Sequence, residues 1–200
     1  MGINRQQDQQ RLRIAELAAR HISESGIIDF QLAKRKAAQQ LGVSEKRFLP
    51  SNKEIETALI EYQGLFHSDT QPEQLRKLRQ TAIHAMEFLQ QFHPRLAGDV
   101  LSGTANEFSH VELHVFAEYP EQISLYLMEQ KIPYAEKHKR VKYDGEYQQQ
   151  PMFNMTADNI EVDVIVFSQE GLRRAPNSPV DGQPMARADL KAVQDLLQAG

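Results

Sequence analysis

The hydrophobic period changes at Pro94, and no other feature of the 200-residue chain restricts its fold as much. Before Pro94, apolar side chains recur at three- and four-residue steps, the spacing of one helix face. After it they alternate in short segments rich in Val, Leu and Phe, the spacing of a half-buried strand. A run of helices followed by strands with interspersed helices predicts an α+β protein. The reading is an N-terminal helical domain over residues 1–70, followed by a small mixed-sheet α/β domain over residues 71–200.

The helical half is punctuated by its own end signals. Leu12, Ile14, Leu17, Ala18 and Ile22 line one face of a first helix, and Gly26 ends it. Asp29 caps a second helix through Ala33, Ala37, Ala38 and Leu41, which Gly42 closes. Ser44 opens a short helical turn (SEKRFL) that Pro50 stops. Ser51 or Asn52 caps a helix with Ile55, Leu59, Tyr62 and Phe66 on one side, and a long helix runs from Pro72 to about Phe92. Beyond Pro94, LAGDVLSG and SHVELHVFAE read as strands and PEQISLYLMEQKI as a helix. HKRVKYDG and QQPMFNMTADN read as a strand pair around an Asp144-Gly145 turn. In NIEVDVIVFS, Val162, Val164 and Val166 alternate with Glu161, Asp163 and Ile165, and ADLKAVQDLLQ closes as a helix.

Composition removes whole classes of chemistry. Cys is absent, so thiol nucleophiles, thiolate zinc sites and disulfides are excluded. The 40% hydrophobic and 25% charged fractions are those of a globular chain. No apolar run approaches the roughly 20 residues that span a bilayer. The N-terminus is polar, and Gln6 stands where a myristoylation signal needs Ser or Thr. These features predict a cytoplasmic protein with no membrane partner. A formal charge of −4 argues against bulk nucleic-acid binding and leaves local basic patches open.

The stretch from Leu101 to Glu118, read with Glu161–Phe167, holds the residues that phosphoryl chemistry needs. Glu112 and His114 share one face of a strand, and a later strand presents Asp163. Carboxylates on adjacent strands suit Mg²⁺, while a Gly-Ser/Thr turn lets backbone N–H groups approach a triphosphate. This order of elements resembles the nucleotidyltransferase-fold superfamily in its minimal form. There, a helix leads into a strand, a Gly-Gly or Gly-Ser turn, an Asp-x-Asp/Glu pair and a third carboxylate on a later strand. The matching positions are the helix QLRKLRQTAIHAMEFLQQF, the turn Gly103-Thr104, the pair position Glu112-Leu113-His114, and Asp163, over roughly residues 72–167.

The resemblance implies a protein that binds a nucleoside triphosphate, either transferring a nucleotidyl group or surviving as a degenerate relative that only binds. Glu112, His114 and Asp163 would be its catalytic residues, with Glu112 and Asp163 holding Mg²⁺ or Mn²⁺. Gly103, Thr104, Ser109, Arg173 and Arg174 would contact the nucleotide. His114 stands in a metal-carboxylate position, where imidazole is a poor Mg²⁺ ligand, so it would be a base or favour Mn²⁺ or Zn²⁺.

An alternative lies in the helical half. RLRIAELAARHISESGIIDFQLAKRKAAQQLGVSEKRF resembles the DNA-binding head of tetracycline-repressor-type regulators, whose helix-turn-helix often turns at Gly-Val-Ser, here Gly42-Val43-Ser44. Lys34, Arg35, Lys36, Lys46, Arg47 and Lys53 face the single acid Glu45 and would neutralise phosphates. Pro50 leaves a short recognition helix. The remaining signals are weaker. Seven scattered His include no HExxH motif. Lys137, His138, Lys139, Arg140 and Lys142 form a basic segment that reads either as a protected sheet edge or as a phosphate- or RNA-binding surface. A long loop carries Arg173, Arg174 and Arg187, and its length favours a functional role.

Overall fold

The computed structural model describes the backbone from Gly2 to Ala199 and the side chains from Gln7 to Gln198. The side chain of Gln6, read above against myristoylation, lies outside that range. The architecture is mixed α+β, with a helical region followed by a five-stranded mixed sheet. The chain forms two compact units. One comprises the residues up to Gln71 together with Asn106–Ser109 and Pro179–Asp181; the other takes Pro72–Ala105, His110–Ser178 and the segment from Gly182 onward.

The helical unit contains α1 (Gly2–Ser25), α2 (Phe30–Gln40) and α3 (Asn52–Phe66). Its core includes Ile14, Ala18, Ala33, Ala37, Ile55 and Leu59, and the small alanines let the helices approach closely. The caps follow the polar letters. Asp29 accepts from the backbone N–H groups of Gln31 and Leu32. Ser51 and Glu54 form a capping box. Ser51→Ala removes one half of that box and is expected to cost about 1 kcal/mol, read by urea unfolding. Gly26 sits at φ +64°, and a Cβ there would come within 2.9 Å of the Phe108 ring. The expected SEKRFL turn is reduced to one 3-10 turn, Lys46–Phe48, between the breaks at Gly42 and Pro50.

The sheet unit contains α4 (Gln71–Phe88), β1 (Arg95–Ala97), α5 (Gly98–Ser102), β2 (Val111–Phe116) and α6 (Glu121–Glu129). β3 (Tyr134–Tyr143), β4 (Glu146–Ala157), β5 (Ile160–Phe167) and α7 (Leu190–Ala199) complete it. The strand order is β1-β2-β5-β4-β3, with β2 and β5 parallel and every other pair antiparallel. Parallel neighbours need a crossover, and here α6, β3 and β4 supply it. Two-residue turns close both hairpins: Asp144-Gly145 and Asp158-Asn159 all have positive φ, as the type I′ turn demands.

The alternating residues sort the two faces. Val111, Leu113, Val115, Val162, Val164, Val166, Phe153 and Met155 bury one face against Leu78, Met86, Ile123, Leu127 and Val193 of the helices. On the other face Phe116, Met152, Ile165 and Phe167 form a second, smaller cluster.

One expected strand is corrected. LAGDVLSG is not a strand: pairing stops at Ala97, Gly98 turns the chain at φ +71°, and α5 begins. A glycine in the left-handed region ends a strand because other residues enter that region only at a cost. The outer edge of β1 is closed by Ala188, which exchanges two 2.9 Å backbone hydrogen bonds with Leu96.

Candidate functional site

Register brings the carboxylates together. Ala97, Glu112, Asp163, Asn154 and Ala135 lie side by side in one row across β1, β2, β5, β4 and β3. Laterally paired residues project from the same face, so Glu112, Asp163 and Asn154 share the face opposite the helices. The row ends in alanine on both sides, so its polar centre consists of Glu112, Asp163 and Asn154. Glu112 and Asp163 side chains are only 17% and 16% exposed.

Each carboxylate is held by named donors. Asp163 Oδ1 accepts from Asn154 Nδ2 at 2.7 Å, and its Oδ2 lies 3.2 Å from His110 Nδ1. The other ring nitrogen of His110 faces Glu161 at 3.4 Å. Glu112 Oε1 lies 3.0 Å from His114 Nε2, and Lys139 Nζ donates to its Oε2 at 3.4 Å. Gly98 packs on the same side chain, with room for a Cβ only 3.5 Å from that of Glu112.

His114 is fully buried, and Arg187 Nε donates to its Nδ1 at 2.8 Å. A guanidinium nitrogen has no acceptor lone pair, so Nδ1 carries none of the ring's protons. The network therefore assigns the proton to Nε2, which donates to Glu112. Arg187 is itself fixed: Nη1 donates to the Gly171 carbonyl at 2.6 Å, and the guanidinium lies 5.3 and 5.0 Å from the Phe116 and Phe167 ring centroids. The result is a chain from Arg187 through His114 and Glu112 to Lys139.

Titration follows from this arrangement. Burial pushes the Glu112 carboxyl up, but the His114 hydrogen bond and the Lys139 charge outweigh it and hold the group down to about 2. Burial pushes the His114 imidazole down, against the pull of Glu112. The Glu112 charge raises the Lys139 ammonium, against burial.

The expected site residues divide. Glu112, His114 and Asp163 share the polar face. Gly103 and Thr104 are used to end α5: Gly103 is its left-handed C-cap at φ +86°, and Thr104, 7% exposed, has its hydroxyl 3.0 Å from that of Ser102. The turn leaving the first strand is Gly98-Asp99, and Gly98 is the glycine that touches Glu112. Ser109 is buried and its hydroxyl accepts from the Asn106 N–H at 3.0 Å. Arg174 is committed to Asp144 and lies over the Tyr143 ring, and Arg173 is exposed.

In the helical unit, Lys34 is 7% exposed, so it is not a surface cation, while Arg35 and Lys36 are exposed. Burial pushes the Lys34 ammonium down. Arg47 pairs with Glu45 at 2.7 Å and lies over Phe48, and Lys46 is in the same 3-10 turn.

Sequence reasoning did not include Lys139, Asn154 or Arg187 in the site. The first two carry a detectable signal, because strand parity puts Lys139 and Asn154 on the face of Asp163 once the two hairpins are aligned. Arg187 was marked only by its place on a long loop, and nothing local tied it to His114, 73 residues away. Among the described residues, no three His, Cys, Asp or Glu side chains gather as a metal site, and no helix is long and apolar enough to cross a membrane. No protein-family model matches the chain, and no curated protein matches it.

Proposed function

We propose that the chain is a cytoplasmic protein whose sheet unit is a reduced nucleotidyltransferase-type domain, one that binds a nucleoside triphosphate together with Mg²⁺ or Mn²⁺. The observation that carries this reading is the lateral pairing of Glu112 with Asp163 on the parallel strands β2 and β5. Two carboxylates offer hard oxygen ligands that suit either ion, and phosphate and water would complete its coordination. Such an ion, when bound, neutralises phosphate charge and so lets an anionic ligand approach carboxylates.

The charge balance makes the ion necessary. Glu112, Asp163 and Glu161 bring three negative charges, against the cations Lys139 and Arg187. A bare triphosphate would meet net repulsion. Lys139, with its side chain 40% exposed and on a flexible stem, stands in as the counter-ion of Glu112 and can withdraw. His114 contributes neither a ligand nor a base, because both of its nitrogens are engaged. Nucleotidyl transfer through a second ion is therefore outside the proposal, which is one of binding. DNA binding by the helical unit has less support: its would-be recognition helix is a single 3-10 turn, and Arg47 is already paired.

Isothermal titration with each of the four common ribonucleoside triphosphates tests the reading, with Mn²⁺ and with chelator. Binding is expected only with the ion, and Asp163→Asn is expected to weaken it at least about tenfold while leaving thermal unfolding within a few degrees. Equal binding by Asp163→Asn would remove the paired carboxylates from the site. No binding of any triphosphate with Mn²⁺ would refute the nucleotide reading itself.

A further inference from the structure

The β3–β4 hairpin outruns the sheet that carries it. β5 pairs with β4 only as far as Met152, opposite Ile165; the next residue, Pro151, has no N–H to continue the ladder. Residues His138–Tyr143 and Glu146–Pro151 thus run past β5 as a two-stranded ribbon about 20 Å long, which packs on one side through Val141 and Tyr143 and accepts from the Asn177 N–H at the Lys142 carbonyl. One side of it carries Arg140 beside Gln149 and Lys142 beside Tyr147, all exposed. Among the described residues, no carboxylate lies within ion-pair distance of Lys137, Arg140 or Lys142. The patch is positive on a chain whose formal charge is −4, so the charge is local and concentrated.

The aromatic component is equally specific. The Arg140 guanidinium sits 3.6 Å from the centroid of the Tyr147 ring, and Lys142 Nζ lies 5.6 Å from it. Tyr147 is 58% exposed. A guanidinium lying on an aromatic ring turns its outer face to solvent, and a nucleobase stacks on such a plane as it does on an aromatic side chain.

From this we propose that the exposed face of the β3–β4 ribbon binds single-stranded nucleic acid. Arg140 and Lys142 neutralise phosphates, and the Arg140–Tyr147 pair stacks a base. Unpaired cations beside an exposed stacking platform are the two components that single-strand binding combines. A duplex fits less well. In a duplex every base is already stacked, so the Arg140–Tyr147 pair would have no unstacked base to receive and only the two cations would contribute. The inference is independent of the triphosphate site, because Arg140, Lys142 and Tyr147 lie on the opposite face of the sheet from Glu112 and Asp163.

The test is fluorescence anisotropy of the full chain with a labelled single-stranded 12-mer of mixed sequence, over a salt series, in chelator and without nucleotide. Saturable binding is expected below about 0.1 mM protein at low salt. The double variant R140Q/K142Q should bind about tenfold more weakly, with its log–log salt slope smaller by about 2. Tyr147→Leu should weaken binding severalfold with the slope unchanged, because it removes stacking and no charge. Circular dichroism and thermal unfolding should stay unchanged for all three exposed positions. The proposal is overturned if these variants bind like the parent, or if Arg35→Gln with Lys36→Gln loses as much affinity. It is equally overturned if a duplex of the same sequence binds as tightly, or if polyglutamate displaces the oligonucleotide at equal charge concentration.

Discussion

His114→Ala is expected to destabilise the sheet unit by about 3–5 kcal/mol, the usual cost of removing one partner from a buried charged network. The ring is fully buried and joins two ions, Arg187 at Nδ1 and Glu112 at Nε2. Alanine would leave the guanidinium Nε and one carboxylate oxygen without partners. It would also open a cavity beside Phe167, whose ring centroid lies 4.6 Å from that of His114. Glutamine is the informative control, since its amide oxygen accepts from Arg187 while its NH₂ donates to Glu112. His114→Gln should therefore recover more than half of the loss. Amide hydrogen exchange in β2 and β5 measures this within the sheet unit, separately from the helical one. If His114→Ala lowered those opening free energies by less than about 1 kcal/mol, the chain from Arg187 to Glu112 would carry no stabilisation.

The second large effect is a loss of stability in acid, in two steps. Glu112 titrates at about 2 in the folded protein against 4.5 for the free group. Its contribution is fully present above pH 4.5 and disappears as pH falls toward 2, because the unfolded chain takes the proton first. That difference corresponds to about 3 kcal/mol. His114 is displaced downward from 6.5, so the unfolded imidazole gains its proton at a pH where the folded one does not. Stability due to His114 neutrality is therefore present above pH 6.5 and declines below it. Urea unfolding from pH 8 to pH 2.5 should show stability falling from about pH 6.5 and again below about 4.5. Glu112→Gln should flatten the lower step and His114→Gln the upper one. A parent profile that is level between pH 7 and 4 would contradict the neutral, Nε2-protonated His114.

Much of the fold was legible because its determinants are local. A cap is made within three residues, so Asp29 could be read from its letter and the next cap narrowed to Ser51 or Asn52, between which the Ser51–Glu54 box decides. Strand parity is local too. It put Glu112 and His114 on one face and Asp163 opposite the core valines, and it marked Asp144-Gly145 as a hairpin turn. Where two local readings were close in energy, tertiary contacts decided. Only Leu96 and Ala97 of LAGDVLSG pair with β2, and Gly98 turns the remainder into a helix; the glycine that matters is the one packed on Glu112, five positions before the one expected. SEKRFL, confined between Gly42 and Pro50, keeps one 3-10 turn.

The site depended most on distant parts of the chain. Glu112 and Asp163 are neighbours because β2 and β5 pair in parallel across 50 intervening residues, and no spacing rule specifies that partner. Lys139 meets Glu112 because the hairpin folds back at its predicted turn. Arg187 meets His114 because a long loop closes against the edge of β1 through Leu96 and Ala188. Alternation and capping by themselves determined which residues turn inward, since these depend on bonds and steric limits a few residues apart. Which buried ions neutralise one another was settled only in the tertiary structure, because charge pairing inside a protein requires groups from remote segments to lose their water together.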